Sequence, residues 1–261
     1  MEFKIETMAD YAARGEKPEV LFWVGCAGSF DERAQKITRA VAKILHHSGV
    51  KFAVLGTEES CTGDPAKRAG NEFLFQMQAM MNIQVLNGYE VTRIVTACPH
   101  CFNTLKNEYP ELGGHYEVIH HSELLQTLIN DGRLSVSGGA FSGKKITFHD
   151  PCYLGRGNSV YEAPREVIQK LDSALSEMKR SRAKGFCCGA GGAQMFKEPE
   201  QGTKDVNVER TEEALALNPD VIAVACPFCL TMMTDGVKNF NKEQDVKVLD
   251  IAELIATAND L

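Results

Sequence analysis

The stretch IVTACPHC, residues 94–101, returns as IAVACPFC at residues 222–229. In both places an apolar run ends at a C-P-x-C motif, a pattern that predicts a buried strand leading into a helix whose first turn accepts proline. Two further cysteines repeat, since Cys26 and Cys61 recur as Cys152 and Cys187, each 126 positions later. Together with the offset of 128 for the C-P-x-C motifs, this recurrence indicates two copies of one unit.

Each copy alternates apolar runs with helical patterns, which predicts parallel sheets covered by helices. The expected strands span 18–26, 51–55 and 91–97 in the first copy and include 144–152 and 220–229 in the second. The expected helices span 31–49 and 66–88. The predicted fold class is α/β, with two tandem repeats of a parallel-sheet, Rossmann-like unit related by internal pseudo-symmetry. A Gly- and Ser-rich segment, 131–143, predicts the linker, so the expected domains are 1–138 and 139–261.

Composition and charge narrow the class of protein. The chain has 261 residues, 44% of them hydrophobic, and a net charge of −7. This charge disfavours nucleic acid as a partner, and no apolar run is long enough to span a bilayer. The first residues lack the apolar core of a signal peptide, so we expect a cytoplasmic protein with reduced thiols. Nine cysteines in such a compartment indicate metal or redox chemistry.

Adjacent cysteines in FCCGAGG, residues 186–192, are the least usual feature. Joining neighbours in a disulfide needs a strained ring, and zinc sites usually space their ligands C-x₂₋₄-C. Four readings remain open at this point: buried small hydrophobes, structural zinc sites, dithiol redox pairs and iron–sulfur clusters. A cluster with several irons accepts two neighbouring thiolates on different metals more readily than a single zinc does. The cysteines also lie at expected strand ends, where open α/β sheets bind ligands.

The second copy, with its pattern C-x₃₄-C-C-x₃₇-C-x-x-C, resembles the CCG cysteine-rich domain of the catalytic subunit of heterodisulfide reductase and of the iron–sulfur subunits of glycolate oxidase and lactate-utilisation enzymes. The resemblance covers nearly the whole chain, because those proteins carry the domain twice. It implies a noncubane [4Fe-4S] cluster in the second copy. It also implies five ligands, which we call the second site: Cys152, Cys187, Cys188, Cys226 and Cys229. Glycines 189, 191 and 192 would let the backbone approach such a cluster and donate N–H groups to sulfur.

The first copy departs from this pattern. An offset of 126 sets Thr62 against Cys188, whereas a shift of one residue would set Ser60 against Cys187. Either register leaves four thiols, which fit a cubane [4Fe-4S] cluster, an altered noncubane cluster or zinc. Asp64 is near enough in sequence to add an oxygen ligand, or else it caps a helix before Pro65. The expected ligands, which we call the first site, are Cys26, Cys61, Cys98 and Cys101.

Other residues near the cysteines carry weaker hypotheses. His149 is the candidate catalytic residue, as a donor of a hydrogen bond to cluster sulfur or of a proton to substrate; the alternative is a structural turn at Pro151. His100 has Phe228 as its counterpart, which favours packing or shielding over catalysis. Arg156 would offset cluster charge or form a surface ion pair. The basic run 179–184 is either a docking patch for an acidic redox partner or a solvated loop.

The resemblance implies an iron–sulfur redox subunit of a heterodisulfide-reductase-like oxidoreductase complex. It would pass electrons between a flavin or ferredoxin partner and a disulfide or quinone acceptor. The chain shows no G-x-G-x-x-G dinucleotide motif and no ferredoxin cysteine run, so the expected partners are a ferredoxin-type iron–sulfur protein, a flavoprotein and a membrane cytochrome b. A peripheral position at the inner face of the membrane would follow from such a partner. The alternatives are a pure electron-transfer module without a substrate of its own and a zinc-stabilised interaction protein.

Overall fold

Two four-stranded parallel sheets form the protein, which a computed structural model describes at residues 3–198 and 201–261. The spatial order β2-β1-β3-β4 in the first sheet is repeated as β6-β5-β7-β8 in the second, and each strand pair is parallel. This confirms the predicted α/β repeat, while the domain boundary at 138/139 stays a prediction. The strands are β1 (Val20–Trp23), β2 (Phe52–Ala53), β3 (Arg93–Thr96), β4 (Glu117–His120), β5 (Lys145–Phe148), β6 (Ala174–Leu175), β7 (Val221–Val224) and β8 (Lys247–Asp250).

Helices connect the strands. Every residue of β1 and of β7 is buried, as expected for central strands of a parallel sheet. Among the described residues, no helix combines the length and the apolar character needed to cross a bilayer. The α-helices are α1 (Met8–Ala13), α2 (Gly25–Phe30), α3 (Ala34–His47), α4 (Asp64–Arg68), α5 (Glu72–Gly88), α6 (Pro99–Asn103), α7 (His121–Asn130), α8 (Gly155–Asn158), α9 (Glu162–Gln169), α10 (Val206–Leu215), α11 (Pro227–Asn239) and α12 (Ile251–Ala258).

The expected single helix over 66–88 is wrong, because the chain breaks into α4 and α5. Gly70 adopts φ +85°, a left-handed conformation that ends α4, and the Asn71 side chain accepts a hydrogen bond from the Leu74 N–H to begin α5. The expected helix over 31–49 is shorter, at 34–47, and is preceded by α2. The dipeptide Gly70–Asn71 is a stop and start signal that the helical periodicity concealed.

A buried polar contact joins the two copies where β4 and β8 end. The His121 ring bonds the Asp250 carboxylate through Nε2 at 2.9 Å and lies 3.2 Å from the Nε2 atom of His120 through Nδ1. All three side chains are buried. His120 and Asp250 each act as the N-cap of the following helix, α7 or α12, and thus occupy equivalent places in the two copies. At the rim, Arg33 of the first copy pairs with Glu253 of the second at 2.7 Å.

Candidate metal centres

The second site lies at the carboxyl ends of β5 and β7. Cys226 is the N-cap residue of α11, and Pro227 opens its first turn, so Cys229 projects from that turn. The Cys229 and Cys188 sulfur atoms lie 3.3 Å apart. Gly189 adopts φ +95°, and its N–H donates to the Cys187 sulfur at 3.2 Å. The tight turn after the paired cysteines therefore directs a backbone donor at a thiol, which requires glycine.

Hydrogen bonds between the thiols of the second site lower the pKa of some and raise the pKa of others. Hydrogen bonds from Cys152 and Cys188 lower the pKa of Cys187 to about 2. Burial opposes ionisation of Cys226, but bonds from Cys229 and His100 outweigh it and lower its pKa to about 5. The bond to Cys187 and burial raise the pKa of Cys152. Cys187 and Cys226 are therefore the thiols of this site that lose their protons most readily, and a metal would displace the protons of the others.

The first site repeats this geometry with one thiol replaced by a hydroxyl. Thr62 is buried, and its Oγ1 lies 3.9 Å from the Cys101 sulfur, as Cys188 lies beside Cys229 in the second site. The Gly63 N–H points at the Cys61 sulfur at 3.5 Å, like its counterpart Gly189. The register with an offset of 126 is therefore the observed one, and Thr62 stands where the second copy has a cysteine.

Beside Cys26 and Cys61, the first site has a tryptophan and a carboxylic acid. Trp23, which is fully buried, holds the position that the offset assigns to His149. The Glu59 carboxylate accepts hydrogen bonds from the N–H groups of Val24 and Gly25 at 2.9 and 2.5 Å, and burial raises its pKa to about 7. Sequence reasoning missed Glu59, although an acidic residue two positions before Cys61 was visible.

A buried arginine lies near the second site. Arg210 is fully buried, and its Nε donates to the His149 Nδ1 at 3.0 Å. Because Nδ1 accepts, the proton of the neutral ring is on Nε2. Burial and the Arg210 charge lower the pKa of His149 to about 3. One nitrogen of His149 lies within 4.8 Å of the Cys188 and Cys229 sulfurs. The ring is therefore a neutral hydrogen-bond donor beside thiols, and its catalytic role stays a prediction.

Asp150 anchors the loop that carries Cys152. Its carboxylate accepts two hydrogen bonds from the buried Arg165 guanidinium, at 2.8 and 2.9 Å, and a third from the Arg182 N–H at 2.7 Å. Arg165 also pairs with Glu177 at 2.6 Å. Burial by itself would raise the pKa of Asp150, but the bonds and charge of Arg165 hold it below its ordinary value. Neither Arg165 nor Arg210 was singled out from the sequence, because the burial of each depends on tertiary packing.

His100 lies between the two sites. It belongs to the C-P-H-C motif of the first site, and its Nδ1 bonds the Asp64 carboxylate at 2.9 Å. Its ring packs on Tyr153, which follows a ligand of the second site, with centroids 4.5 Å apart, and it interacts with Cys226. Burial disfavours the imidazolium, yet Asp64 and Cys226 together raise the pKa of His100. The Asp64 carboxylate therefore binds His100 and Arg68. The N-cap residue of α4 is Gly63 and not Asp64, which is the first residue of that helix.

Arg156 and the basic run 179–184, which both follow Cys152, make contacts within the chain. Arg156 donates to the Gly185 carbonyl, on the approach to the paired cysteines. In the run 179–184, Arg180 pairs with Glu209 and Glu213, and Arg182 pairs with Glu162 and Glu177. These two arginines therefore fasten the loop to α9 and α10, which weakens the hypothesis of a docking patch.

The donor set fits a thiolate-bound metal group. Each site presents thiols from three segments, with the C-P-x-C cysteines buried and a glycine N–H aimed at one sulfur. An apolar enclosure with several thiols and few other donors suits iron–sulfur or zinc binding and does not suit magnesium or calcium, which prefer oxygen.

Comparison with known proteins agrees with this geometry. The family model CCG, described as "Cysteine-rich domain", matches residues 20–106 and 146–234. The chain is 48% identical over 254 residues to "Probable iron-sulfur-binding oxidoreductase FadF" of Bacillus subtilis, covering 97% of this chain and 36% of that protein. It is 44% identical to "EtfAB:quinone oxidoreductase" of Syntrophomonas wolfei, covering 92% of this chain and 34% of that protein.

A more distant relative is a subunit of a heterodisulfide reductase. The chain is 33% identical over 250 residues to a subunit of the dihydromethanophenazine:CoB--CoM heterodisulfide reductase of Methanosarcina barkeri, covering 93% of this chain and 59% of that relative. The chain therefore spans about a third of the first two relatives and just over half of the third. The resemblance inferred from the cysteine pattern is confirmed, and the chain belongs to the CCG cysteine-rich domain family, of which it carries two copies.

Proposed function

We propose that this chain is the iron–sulfur electron-transfer part of an oxidoreductase related to heterodisulfide reductase. The second site would hold a noncubane [4Fe-4S] cluster through its five cysteines, and the first site would hold a [4Fe-4S] cluster or zinc through its four. When bound, such clusters take up and release single electrons. The names of the relatives, which mention iron–sulfur binding, quinone and heterodisulfide, support this class of chemistry.

The observation that carries the proposal is the pairing of Cys187 and Cys188 at the second site. Cys188 is buried 3.3 Å from Cys229, whereas Cys187 is partly exposed and receives the Gly189 N–H. The two neighbours thus face different surroundings, which suits ligands to different metals in one cluster more than ligands to one tetrahedral zinc. Arg210 and the His149 N–H would offset the negative charge of the group held there.

The first site would take a different group, because the buried Thr62 hydroxyl replaces a thiolate. A neutral hydroxyl is a weak iron ligand, and the Glu59 carboxyl accepts hydrogen bonds from the Val24 and Gly25 N–H groups beside Cys26. A site with four thiols in place of five favours a group that needs fewer thiolate ligands. His100 bonds Asp64 beside the first site and interacts with Cys226 of the second site. A change of charge at one site would therefore alter the electrostatic environment of the other through this side chain.

The acceptor and the partners belong to the proposal as well. The partners would be a ferredoxin-type iron–sulfur protein, a flavoprotein and a membrane cytochrome b, carried by other chains or by further domains, and the acceptor would be a disulfide or a quinone. A cytoplasmic location, peripheral to the membrane through such a partner, follows. The second candidate function is electron transfer without a substrate of its own, which the burial of the C-P-x-C cysteines favours.

Metal analysis of matched variants tests the proposal. The protein is purified without oxygen, and its iron, sulfide and zinc are measured together with EPR and Mössbauer spectra. Cys188→Ser should lose or convert the cluster of the second site and leave the first site unchanged. Thr62→Ser, the conservative change at the equivalent position, should leave both sites as they are. Protein that holds zinc alone at the second site would contradict the proposal.

A further inference from the structure

The two copies differ in how the space beside their first cysteine is filled. In the second copy, Tyr153 follows Cys152 and packs its ring on His100 of the opposite C-P-x-C motif, with centroids 4.5 Å apart. The offset of 126 assigns Ala27 to the place of Tyr153, and Phe228 is the counterpart of His100. The first copy therefore has a methyl group where the second has a phenol ring.

An open cavity occupies the space beside Ala27. Its volume is about 380 Å³, within the range of small-molecule sites. It lies between α2 of the first copy and the beginning of α11 of the second, and Cys26 of the first site is part of its wall. The principal lining residues are Cys26, Ala27, Phe30, Met195, Phe196 and Phe228.

The lining is aromatic and nearly uncharged. The Phe196 and Phe228 rings meet edge to face with centroids 6.2 Å apart, and Phe228 meets His100 in the same way at 5.2 Å. Phe30 and Phe196 are 86% and 62% exposed, so two large apolar side chains of the cavity wall are in contact with water. Exposed apolar surface of this kind often marks a binding site. Among the described lining residues, Asp31 has the one charged side chain, and it is exposed. Such a wall favours an uncharged flat ring over an anion or a peptide.

We propose that this cavity binds a flat, uncharged ring compound of about the size of a naphthoquinone, with the ring beside Ala27 in the place that Tyr153 fills in the second copy. Phe196 and Phe228 would enclose the ring, and Cys26 would lie at its edge. Binding of the ring follows from the cavity itself. Any exchange of electrons with the ring would rest on the proposed function.

Equilibrium dialysis with 2,3-dimethyl-1,4-naphthoquinone tests the site, since its two methyl groups block alkylation of thiols. Oxidised native protein, purified without oxygen, should bind about one molecule per chain. Ala27→Tyr, which copies the second copy, should weaken binding about tenfold or more by filling the space, and Phe196→Ala should weaken it similarly by removing a ring contact. Phe73→Ala removes another exposed phenylalanine, on α5, and should change nothing.

The outcomes separate this inference from the proposed function, because iron and sulfide are measured on the same samples. The inference would be overturned if native protein showed no saturable binding at ligand concentrations up to about 1 mM, which corresponds to very weak affinity. Native affinity in both Ala27→Tyr and Phe196→Ala, or a loss in Phe73→Ala equal to theirs, would also overturn it. If Ala27→Tyr does not fold, Phe196→Ala decides alone. Ring binding by protein without iron would contradict the proposed function and leave this site standing.

Discussion

Replacing Arg165 with methionine should expose how much the loop of Cys152 depends on one buried ion pair. The change removes both hydrogen bonds to the Asp150 carboxylate and leaves that carboxylate buried without its cation. Breaking such a pair from one side typically costs about 3–5 kcal/mol. The lost pair with Glu177 adds little, about 0–1 kcal/mol, because Glu177 is partly exposed and keeps Arg182 as a partner.

The free energy of unfolding should therefore fall by about 3–5 kcal/mol, and the melting temperature by about 6–20 °C for a chain of this size. A double-mutant cycle measures the coupling. Asp150→Asn in the Arg165→Met background removes the unpaired charge while keeping an oxygen for the Arg182 N–H, so the double variant should be more stable than Arg165→Met alone. Additive losses in the double variant, or a loss under about 1 kcal/mol in the single one, would refute the reasoning.

The same pair predicts a dependence on pH. The pKa of Asp150 lies below its ordinary value of 3.8 in the native protein, so the ion pair stabilises the fold above that value and the contribution is lost as the pH falls through the native pKa. In Arg165→Met the buried carboxyl instead has a raised pKa, and protonation relieves its unpaired charge. The stability gap between native protein and variant should thus narrow from neutral pH towards acid. A gap that widens in acid would contradict the assignment.

Three further changes test the sites. Thr62→Cys supplies the missing thiol and should move the EPR or Mössbauer signature of the first site towards that of the second; identical signatures of both sites in native protein would show that the hydroxyl does not matter. Gly189→Ala forces a side chain into φ +95° and should cost about 1–2 kcal/mol of stability together with iron at the second site, with Gly202→Ala as a neutral control. His100→Phe, which copies residue 228, should raise the pKa of Cys226 above about 5 in metal-free protein, measured by thiolate absorbance, and an unchanged titration would exclude the contact.

Periodicity and cysteine spacing were enough to predict the repeat and the grouping of the cysteines at strand ends, while metal binding by these groups stays a prediction. The C-P-x-C motifs mark strand ends directly, because proline after the cap is a local signal that packing does not alter. The two possible registers at Thr62 differed by one residue, and the distance to Cys101 decides between them. Sequence alone left this open because no local pattern distinguishes neighbouring positions in an irregular loop.

What the sequence could not predict depends on contacts between segments that lie far apart along the chain. His100 looked like packing because its counterpart is Phe228, yet it bonds Asp64 and reaches Cys226 of the other copy. Arg165 and Arg210 carried no prediction from the sequence, and both are buried. A charged side chain is rarely buried unless it has a partner. Because such partners lie far apart along the chain, the sequence alone does not predict the pair.

The bond between His121 and Asp250 makes the two copies complementary rather than interchangeable. Ile251 in the second copy corresponds to His121, since each is the first residue of the helix after the cap. A mispaired assembly of two second copies would set the Asp250 carboxylate against Ile251, and one of two first copies would crowd histidines together. An unpartnered carboxylate buried in this way costs several kcal/mol. Each copy therefore discriminates against docking on a duplicate of itself, and the bond favours the pairing of a first copy with a second copy.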